Sequence, residues 1–206
     1  MRKRLISTGL VTSLLFFWGC TLQGPEYTEE LDLVVTSYDT KFDFKTPGTY
    51  AMPGKVVKIT GDPTAPPEYV KDIYGIPMLA TIDQNMADLG WTKVDVSADP
   101  DIQLMPAAWT TTTIVSGGYW GGYYCWWYPY YCGGGGWYYP YYPVSTYSTG
   151  TMLMTMTDAK HEGTDGGLPV VWTGTMNGLL SGTYEVDRVT KGINQAFKQS
   201  PYLKTN

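Results

Sequence analysis

The chain has 206 residues and a formal net charge of −5 at pH 7, with 43% apolar and 15% aromatic residues. This length predicts one domain, with room for a short appendage, and the apolar content is sufficient for a hydrophobic core. The acidic balance argues against nucleic acid and anionic lipid headgroups as partners, because both are bound by clustered Lys and Arg side chains.

The N-terminus has the pattern of an export signal. The basic residues 2–4 precede an apolar run over residues 5–18, which is too short to span a bilayer. Gly19 and Cys20 follow, and this pairing resembles a bacterial lipoprotein cleavage site. In that interpretation residues 1–19 are a signal peptide and Cys20 is the lipidated first residue. In the alternative, the signal is an ordinary secretory one and Cys20 is incidental.

Cleavage after Gly19 changes the protein's charge and predicts its location. It removes three basic residues and lowers the formal net charge from −5 to −8. Residues 20–30 are polar and are expected to tether the lipid to the domain. Several acyl chains hold firmly, since each buried methylene contributes about 0.8 kcal/mol. Thr21, rather than aspartate, follows the anchor, and residues 21–24 carry no acidic pair. We therefore predict the outer membrane, with the domain facing the periplasm.

The domain is predicted to begin with β-structure. Residues 31–38 are rich in β-branched side chains and predict the first strand. Phe42 and Phe44 are expected to hold the following connection against the core. A second strand is predicted from Thr49, with residues 56–59 extending it.

An amphipathic helix is predicted between the Pro-rich loop 61–67 and Gly90. Its apolar side chains recur every three or four residues, which places them on one face; they are Leu79, Ile82, Met86 and Leu89. Pro77 is typical of a first helical turn, so the helix is predicted to start within residues 75–77. Gly90 is typical of a C-terminal cap.

Two further β-prone stretches follow this helix. Residues 91–96 alternate as a strand, and Asp99 and Asp101 flank a proline as turn residues. Residues 102–115 form a longer run, in which Pro106 indicates a sheet edge or a bulge.

Residues 117–143 form an insertion between strands that consists mostly of Gly, Tyr, Trp and Pro. Tyr and Trp give large, rigid contact areas with a polar group, which favours a binding surface. The candidate contact residues are Tyr119, Trp120, Trp126, Trp127 and Trp137. The alternative is a low-complexity loop whose aromatic rings pack on each other or on the sheet, since loops of this length are usually functional or disordered.

Cys125 and Cys132 lie within this insertion. Export to an oxidising compartment favours a disulfide between them, worth about 2–3 kcal/mol in a chain-entropy estimate. Free or intermolecular thiols are the alternative. No histidine is near, so a zinc site is not predicted.

The C-terminal part predicts a β-hairpin and a second helix. Residues 150–158 and 168–178 are two β-patterned runs joined by a polar turn, which predicts an antiparallel pair with Trp172 on its buried face. The second helix ends before Pro201. Its apolar residues are spaced by three and four and are Val186, Val189, Ile193, Ala196 and Phe197.

The order of these pieces resembles the bacterial lipoprotein family called domain of unknown function 4136 (DUF4136). The matching stretches are Tyr38-Asp39, Phe42, Phe44, residues 49–51, 89–91, 99–102, 150–158 and 171–174, and Ser200-Pro201. The resemblance covers residues 31–203 apart from the insertion. It implies a single α+β domain in which an antiparallel sheet is packed by two helices. It supplies neither an activity nor catalytic residues.

The residues predict no catalytic, cofactor or metal site, and hence no enzyme. His161 is the only histidine, and it lies with Asp158, Glu162 and Asp165 in the hairpin turn. Their spacing matches no EF-hand loop, and an exposed turn is a poor place for a general base. We interpret these residues as a solvated turn rather than a weak cation site.

Two functions fit the sequence. The first is a membrane-anchored envelope lipoprotein that acts as a structural or interaction module and contacts another envelope protein through the aromatic insertion. The second is a glycan or peptidoglycan-binding module that uses the same aromatic rings as stacking platforms. Both contact the membrane through the lipid anchor, and neither uses nucleic acid or a cofactor.

Overall fold

The computed structural model describes residues 33–46, 48–60, 66–109, 113–115, 145–147, 150–161, 168–177 and 186–205. In chain order, the elements are β1 Leu33–Tyr38, β2 Thr49–Ala51, β3 Val57–Ile59, β4 Glu68–Tyr69, α1 Asp72–Asp88, β5 Thr92–Lys93, β6 Ile102–Trp109, β7 Thr113–Val115, β8 Ser145–Tyr147, β9 Met152–Asp158, β10 Val170–Asn177 and α2 Val186–Lys198. Short 3-10 helices cover Val96–Ala98 and Pro201–Leu203.

An eight-stranded mixed sheet forms the centre of the fold. Its order is β1-β10-β9-β6-β2-β5, and β3 continues beyond β2 along the same side of β6 and pairs with β4. The pairs β1–β10, β10–β9 and β9–β6 are antiparallel. By contrast, β6 is parallel to β2 and β3, and β2 is parallel to β5. The α+β class is confirmed, but the expectation of an antiparallel sheet was wrong for this half. Helix α1 lies in the connection between β3 and β6, and such a crossover permits parallel pairing.

The predicted hairpin is present as β9 and β10. The two strands pair antiparallel from Met152↔Met176 to Thr157↔Val170, with an irregularity between Val170 and Trp172. Every residue of β9 is buried, so this strand lies inside the sheet rather than at its margin.

Helices α1 and α2 pack on each other and cover one face of the sheet. Trp172 is fully buried on this face, as predicted. Its ring stacks on Phe197 of α2 at 5.5 Å between centroids, and its Nε1 donates to Ser200 Oγ at 3.0 Å. Phe44 is buried and Phe42 packs against the same core, which confirms that the connection after β1 is held there.

Helix α1 begins at Asp72, so the predicted start within residues 75–77 was wrong. Pro77 lies inside the helix and lacks the N–H that would donate to the carbonyl of Ile73. Ile73 is 70% exposed, so the missing hydrogen bond falls on the solvent side of the helix, where its loss costs least. Packing of the buried face outweighs the proline's preference for a first turn.

The end of α1 is the predicted one. Gly90 has a φ of +90° and donates to Ala87 O at 3.0 Å, while Trp91 N donates to Met86 O at 3.0 Å. These two bonds form a Schellman motif, which satisfies the last helical carbonyls. The following strand covers only Thr92–Lys93 of the predicted residues 91–96.

Pro106 lies in β6, a central strand, so its predicted edge or bulge position was wrong. Trp109 N donates to the carbonyl of Thr151, the residue before β9. Backbone N–H groups alternate sides along a strand, so the Pro106 nitrogen faces the opposite side of β6. On that side β2 ends at Ala51 and β3 begins at Val57. The proline occupies this interruption, where no strand residue needs its N–H.

Several predicted segments lie outside the described residues. They are the signal peptide, Cys20, the tether, and residues 117–143 with Cys125, Cys132 and the five candidate contact aromatics. Strands β7 and β8, on either side of residues 116–144, pair antiparallel with each other. Within the described ranges, neither helix has the length and apolar character needed to cross a bilayer.

Candidate functional site

A cavity of about 380 Å³ lies beyond one end of the sheet. At this end β2, β5 and β6 begin and β1 and β9 finish, because parallel and antiparallel pairs meet at β6. Its lining comes from the segments that adjoin these strand ends: Lys41, Phe42, Asp43, Thr46, Gly48, Trp91, Asp101, Asp158, Lys160 and His161. The volume falls within the roughly 300–1,000 Å³ range of small-molecule clefts.

Asp101 joins the segment before β6 to the first residue of β2. Its Oδ2 accepts from the backbone N of Thr49 at 2.7 Å and from Thr49 Oγ1 at 2.9 Å. In return, Asp101 N lies 3.1 Å from Thr49 O and 3.0 Å from Thr49 Oγ1. The turn role predicted for Asp101 misses this contact, because Thr49 lies 52 positions away in the chain.

Asp158 organises the turn after β9. Its residue is only 6% exposed. Oδ1 accepts from the backbone N of Lys160 at 2.8 Å and of His161 at 3.2 Å, and Oδ2 lies 2.7 Å from His161 Nδ1. A carboxylate oxygen accepts, so Nδ1 is the donor when this pair is a hydrogen bond, and no described residue bonds Nε2. His161 is exposed, as predicted for a solvated turn, but Asp158 is buried.

The two lysines of the lining differ in their partners. Lys160 Nζ lies 2.6 Å from both the carbonyl O and Oδ2 of Asp99, whose backbone is left-handed with a φ of 53°. Lys41 is exposed and forms no ion pair with the described acidic residues. Its ammonium group is therefore available to a ligand.

Two aromatic residues give the cavity an apolar wall. Trp91 is 5% exposed, and its Nε1 donates to Leu203 O at 2.8 Å. A Cβ added to Gly48 would overlap the six-membered ring of Trp91, so the glycine is required for this close approach. Phe42 meets Phe44 edge-on at 4.7 Å between centroids. Both rings are held by the core and present fixed apolar surface.

The hydroxyl and the imidazole among the described lining residues are not bonded to each other. Among the described lining residues, Thr46 supplies the one hydroxyl, and its Oγ1 donates to Asp43 Oδ2 at 3.1 Å rather than to His161. A nucleophile activated by this imidazole would need such a bond. The described part of the chain also contains no group of three or more metal-type ligands.

The cavity was not predicted from the sequence. Asp101, Asp158 and His161 were recognised individually, but as turn residues. The available signal was positional, because Asp101 directly precedes one predicted strand and Asp158 ends another. Only the pairing of β6 with β9, which places Ile102 opposite Asp158, brings these carboxylates to one end of the sheet.

The comparisons with known proteins identify the family. A crystal structure of a DUF4136 family protein from Bacteroides thetaiotaomicron VPI-5482 is 31% identical, with a TM-score of 0.65 over 84% of this chain and 97% of that one. Two other structures are less similar. A PelC dodecamer from Paraburkholderia phytofirmans is 11% identical, with a TM-score of 0.39 over 85% of this chain and 99% of that one. A PDZ domain protein from Parabacteroides distasonis ATCC 8503 is 13% identical, with a TM-score of 0.41 over 83% of this chain and 36% of that one. None of the curated proteins matches this sequence. The family described as "Domain of unknown function (DUF4136)" matches residues 34–202, and the chain therefore belongs to the DUF4136 family.

Proposed function

We propose that this protein is a non-enzymatic lipoprotein of the cell envelope, anchored at Cys20, that acts as an interaction module. The export pattern of residues 1–19 and the cysteine at its end support the anchor. In this proposal the protein lies in the outer membrane and faces the periplasm. Residues 117–143 supply an aromatic contact surface for another envelope protein.

The use of polar groups in the cavity carries the non-enzymatic part of the proposal. Asp101 Oδ2 accepts from Thr49, Asp158 Oδ1 accepts from the backbone of Lys160 and His161, and Thr46 Oγ1 donates to Asp43. The one hydroxyl among the described lining residues is thus bonded to Asp43 and not to the His161 imidazole, which supports a recess that binds over one that uses a hydroxyl nucleophile.

The strand register identifies the end of the sheet at which the proposed anchor would attach. Leu33, where the chain from Cys20 enters the sheet, pairs with Asn177, and Met176 and Ala108 both pair with Met152. This is the end of the sheet opposite the cavity. In an anchored protein the tether would therefore join the sheet at the end where β6 finishes and β9 begins, the two strands that flank the aromatic insertion, and the cavity would lie at the other end.

Labelling with a palmitate analogue tests the anchor. The wild type and a Cys125→Ser control are expected to be labelled, whereas Cys20→Ser is expected to leave an unlabelled precursor. Equal labelling of Cys20→Ser would refute lipidation at this residue. Density separation of the labelled membranes then tests the outer-membrane location, which recovery in the inner-membrane fraction would contradict.

Crosslinking in intact cells tests the interaction module. A partner is expected to be trapped by the full chain and lost when residues 117–143 are deleted. The deletion is expected to leave the domain soluble and resistant to protease. A deleted protein that is soluble yet traps the same partner would show that the insertion is not the contact surface.

A further inference from the structure

We propose that the cavity beside Trp91 binds a neutral sugar, as one pyranose ring of a glycan. This inference deepens the proposed binding role by assigning a ligand class to the cavity. It depends neither on Cys20 nor on the aromatic insertion.

The charges of the lining favour an uncharged ligand. Lys41 and Lys160 face Asp43, Asp101 and Asp158, a formal sum of −1 with a neutral His161, and Lys160 is already paired with Asp99, so the lining has no excess of cationic groups. A phosphate ligand is bound best where cationic groups cluster, and a hard cation where oxygen ligands cluster. The balanced lining selects neither.

The unused polar groups favour hydroxyls. No described residue bonds Lys41 Nζ or His161 Nε2 at the rim, and Asp101 and Asp158 each retain acceptor capacity beside the bonds that they make to described residues. A sugar hydroxyl both donates and accepts, so adjacent hydroxyls on one ring can use both kinds of group.

The apolar wall favours a ring with a C–H face. Trp91 has its indole N–H on Leu203 O and is only 5% exposed, so it offers a ligand a small area of ring carbon. Phe42 is only partly buried and supplies the larger aromatic surface of the lining. An extended peptide binds along a free strand edge. This cavity lies beyond the strand ends, so its position does not favour a peptide.

The single histidine provides the assay. His161 lines the cavity and is the only histidine of the chain, so its imidazole Hε1 gives one resonance without assignment. The full chain in detergent micelles is titrated with glucose and N-acetylglucosamine, and in parallel with glucuronate and glucosamine at matched pH. We expect a saturable shift with at least one neutral sugar and weaker binding of its charged counterparts.

Two lysines of one loop supply a matched pair of variants. Lys41→Met removes a lining ammonium and is expected to weaken binding about tenfold. Lys45→Met removes an exposed ammonium that does not line the cavity and is expected to leave the affinity within about twofold, since it removes no contact with the ligand.

Four results would overturn the assignment: no saturable shift with either neutral sugar, equal binding of the charged sugars, equal weakening by both lysine variants, or loss of binding when residues 117–143 are deleted. The last would move the glycan site to the aromatic insertion. None of them bears on palmitate labelling, so failure here is distinguishable from failure of the proposed lipoprotein.

Discussion

Replacement of Gly174 by alanine tests how Trp172 is held in the core. Gly174 and Trp172 lie two positions apart in β10, on the same face of the sheet. An alanine Cβ at Gly174 would lie 2.7 Å from Trp172 Cη2, 3.0 Å from Cζ2 and 3.3 Å from Met154 Cε. The indole cannot swing away, because Phe197 stacks on it and Ser200 Oγ accepts its N–H.

The magnitude follows from two opposing effects. Overpacking a buried site costs about 1–3 kcal/mol, while alanine regains about 0.5–1 kcal/mol relative to glycine through the entropy of the unfolded chain. Gly174→Ala is therefore expected to lower the free energy of unfolding by about 1 kcal/mol, within a range of about 0–2.5 kcal/mol. For a domain of this size each kcal/mol lowers the Tm by roughly 2–4 °C.

Urea denaturation of the variant and of a matched control measures this difference. A Cβ at Gly54 meets nothing within 4 Å, so Gly54→Ala is expected to be neutral or slightly stabilising. In a Trp172→Phe background the Gly174→Ala penalty is expected to disappear, since the clashing benzo-ring atoms are gone. Equal stability of Gly174→Ala and Gly54→Ala, or an unchanged penalty in the Trp172→Phe background, would refute the steric explanation.

Three further substitutions probe other contacts by urea denaturation. Tyr50→Phe removes the 2.8 Å bond to Asp83 and is expected to cost about 1–2 kcal/mol at pH 8. Burial and Asp83 raise the pKa of Tyr50 above its ordinary value of 10.0. The phenol's contribution to the free energy of unfolding is therefore complete below pH 10 and declines as the pH rises further. The wild type should lose its stability advantage over Tyr50→Phe by pH 11, and a stability difference that stays constant with pH would contradict this. Ser200→Ala leaves the buried Trp172 N–H without its acceptor and is expected to cost about 1–3 kcal/mol, whereas an effect below about 0.5 kcal/mol would show that the bond is dispensable. Gly90→Ala forces a left-handed φ on alanine against the Thr205 hydroxyl and should cost more than about 1 kcal/mol, with Gly54→Ala again as the control.

Local patterns were sufficient to predict the elements made of consecutive residues. The three-and-four spacing located both helices, the Gly90 cap was correct, and the two β-patterned runs paired as β9 and β10. The start of α1 was misjudged because a local preference at Pro77 was weighed without the packing of the buried face. Tertiary packing overrides such preferences routinely.

These local patterns do not determine which distant strands pair or in which direction. A strand's apolar alternation is the same whether its neighbour runs parallel or antiparallel, so the parallel pairing of β2 and β3 with β6 left no mark in the sequence. Pro106 was misplaced for the same reason. Its acceptability in a central strand depends on where two other strands end.

The cavity shows why a site can be harder to predict than the fold that holds it. Asp101 was predicted to be a turn residue because it follows Pro100, and Asp158 because it borders the polar turn of the hairpin. Asp101 does lie in a bend, whereas Asp158 is the buried last residue of β9. Their further role arises because β6 and β9 are antiparallel, so the residue before one strand meets the last residue of the other. The parallel pairing of β6 with β2 then brings Thr49 to the same end, where its neighbour Gly48 lies against the ring of Trp91. A mixed sheet therefore brings separate turns to one end, where they line a single cavity. The side chains that hold these turns together also line that cavity with the hydrogen-bonding atoms that remain.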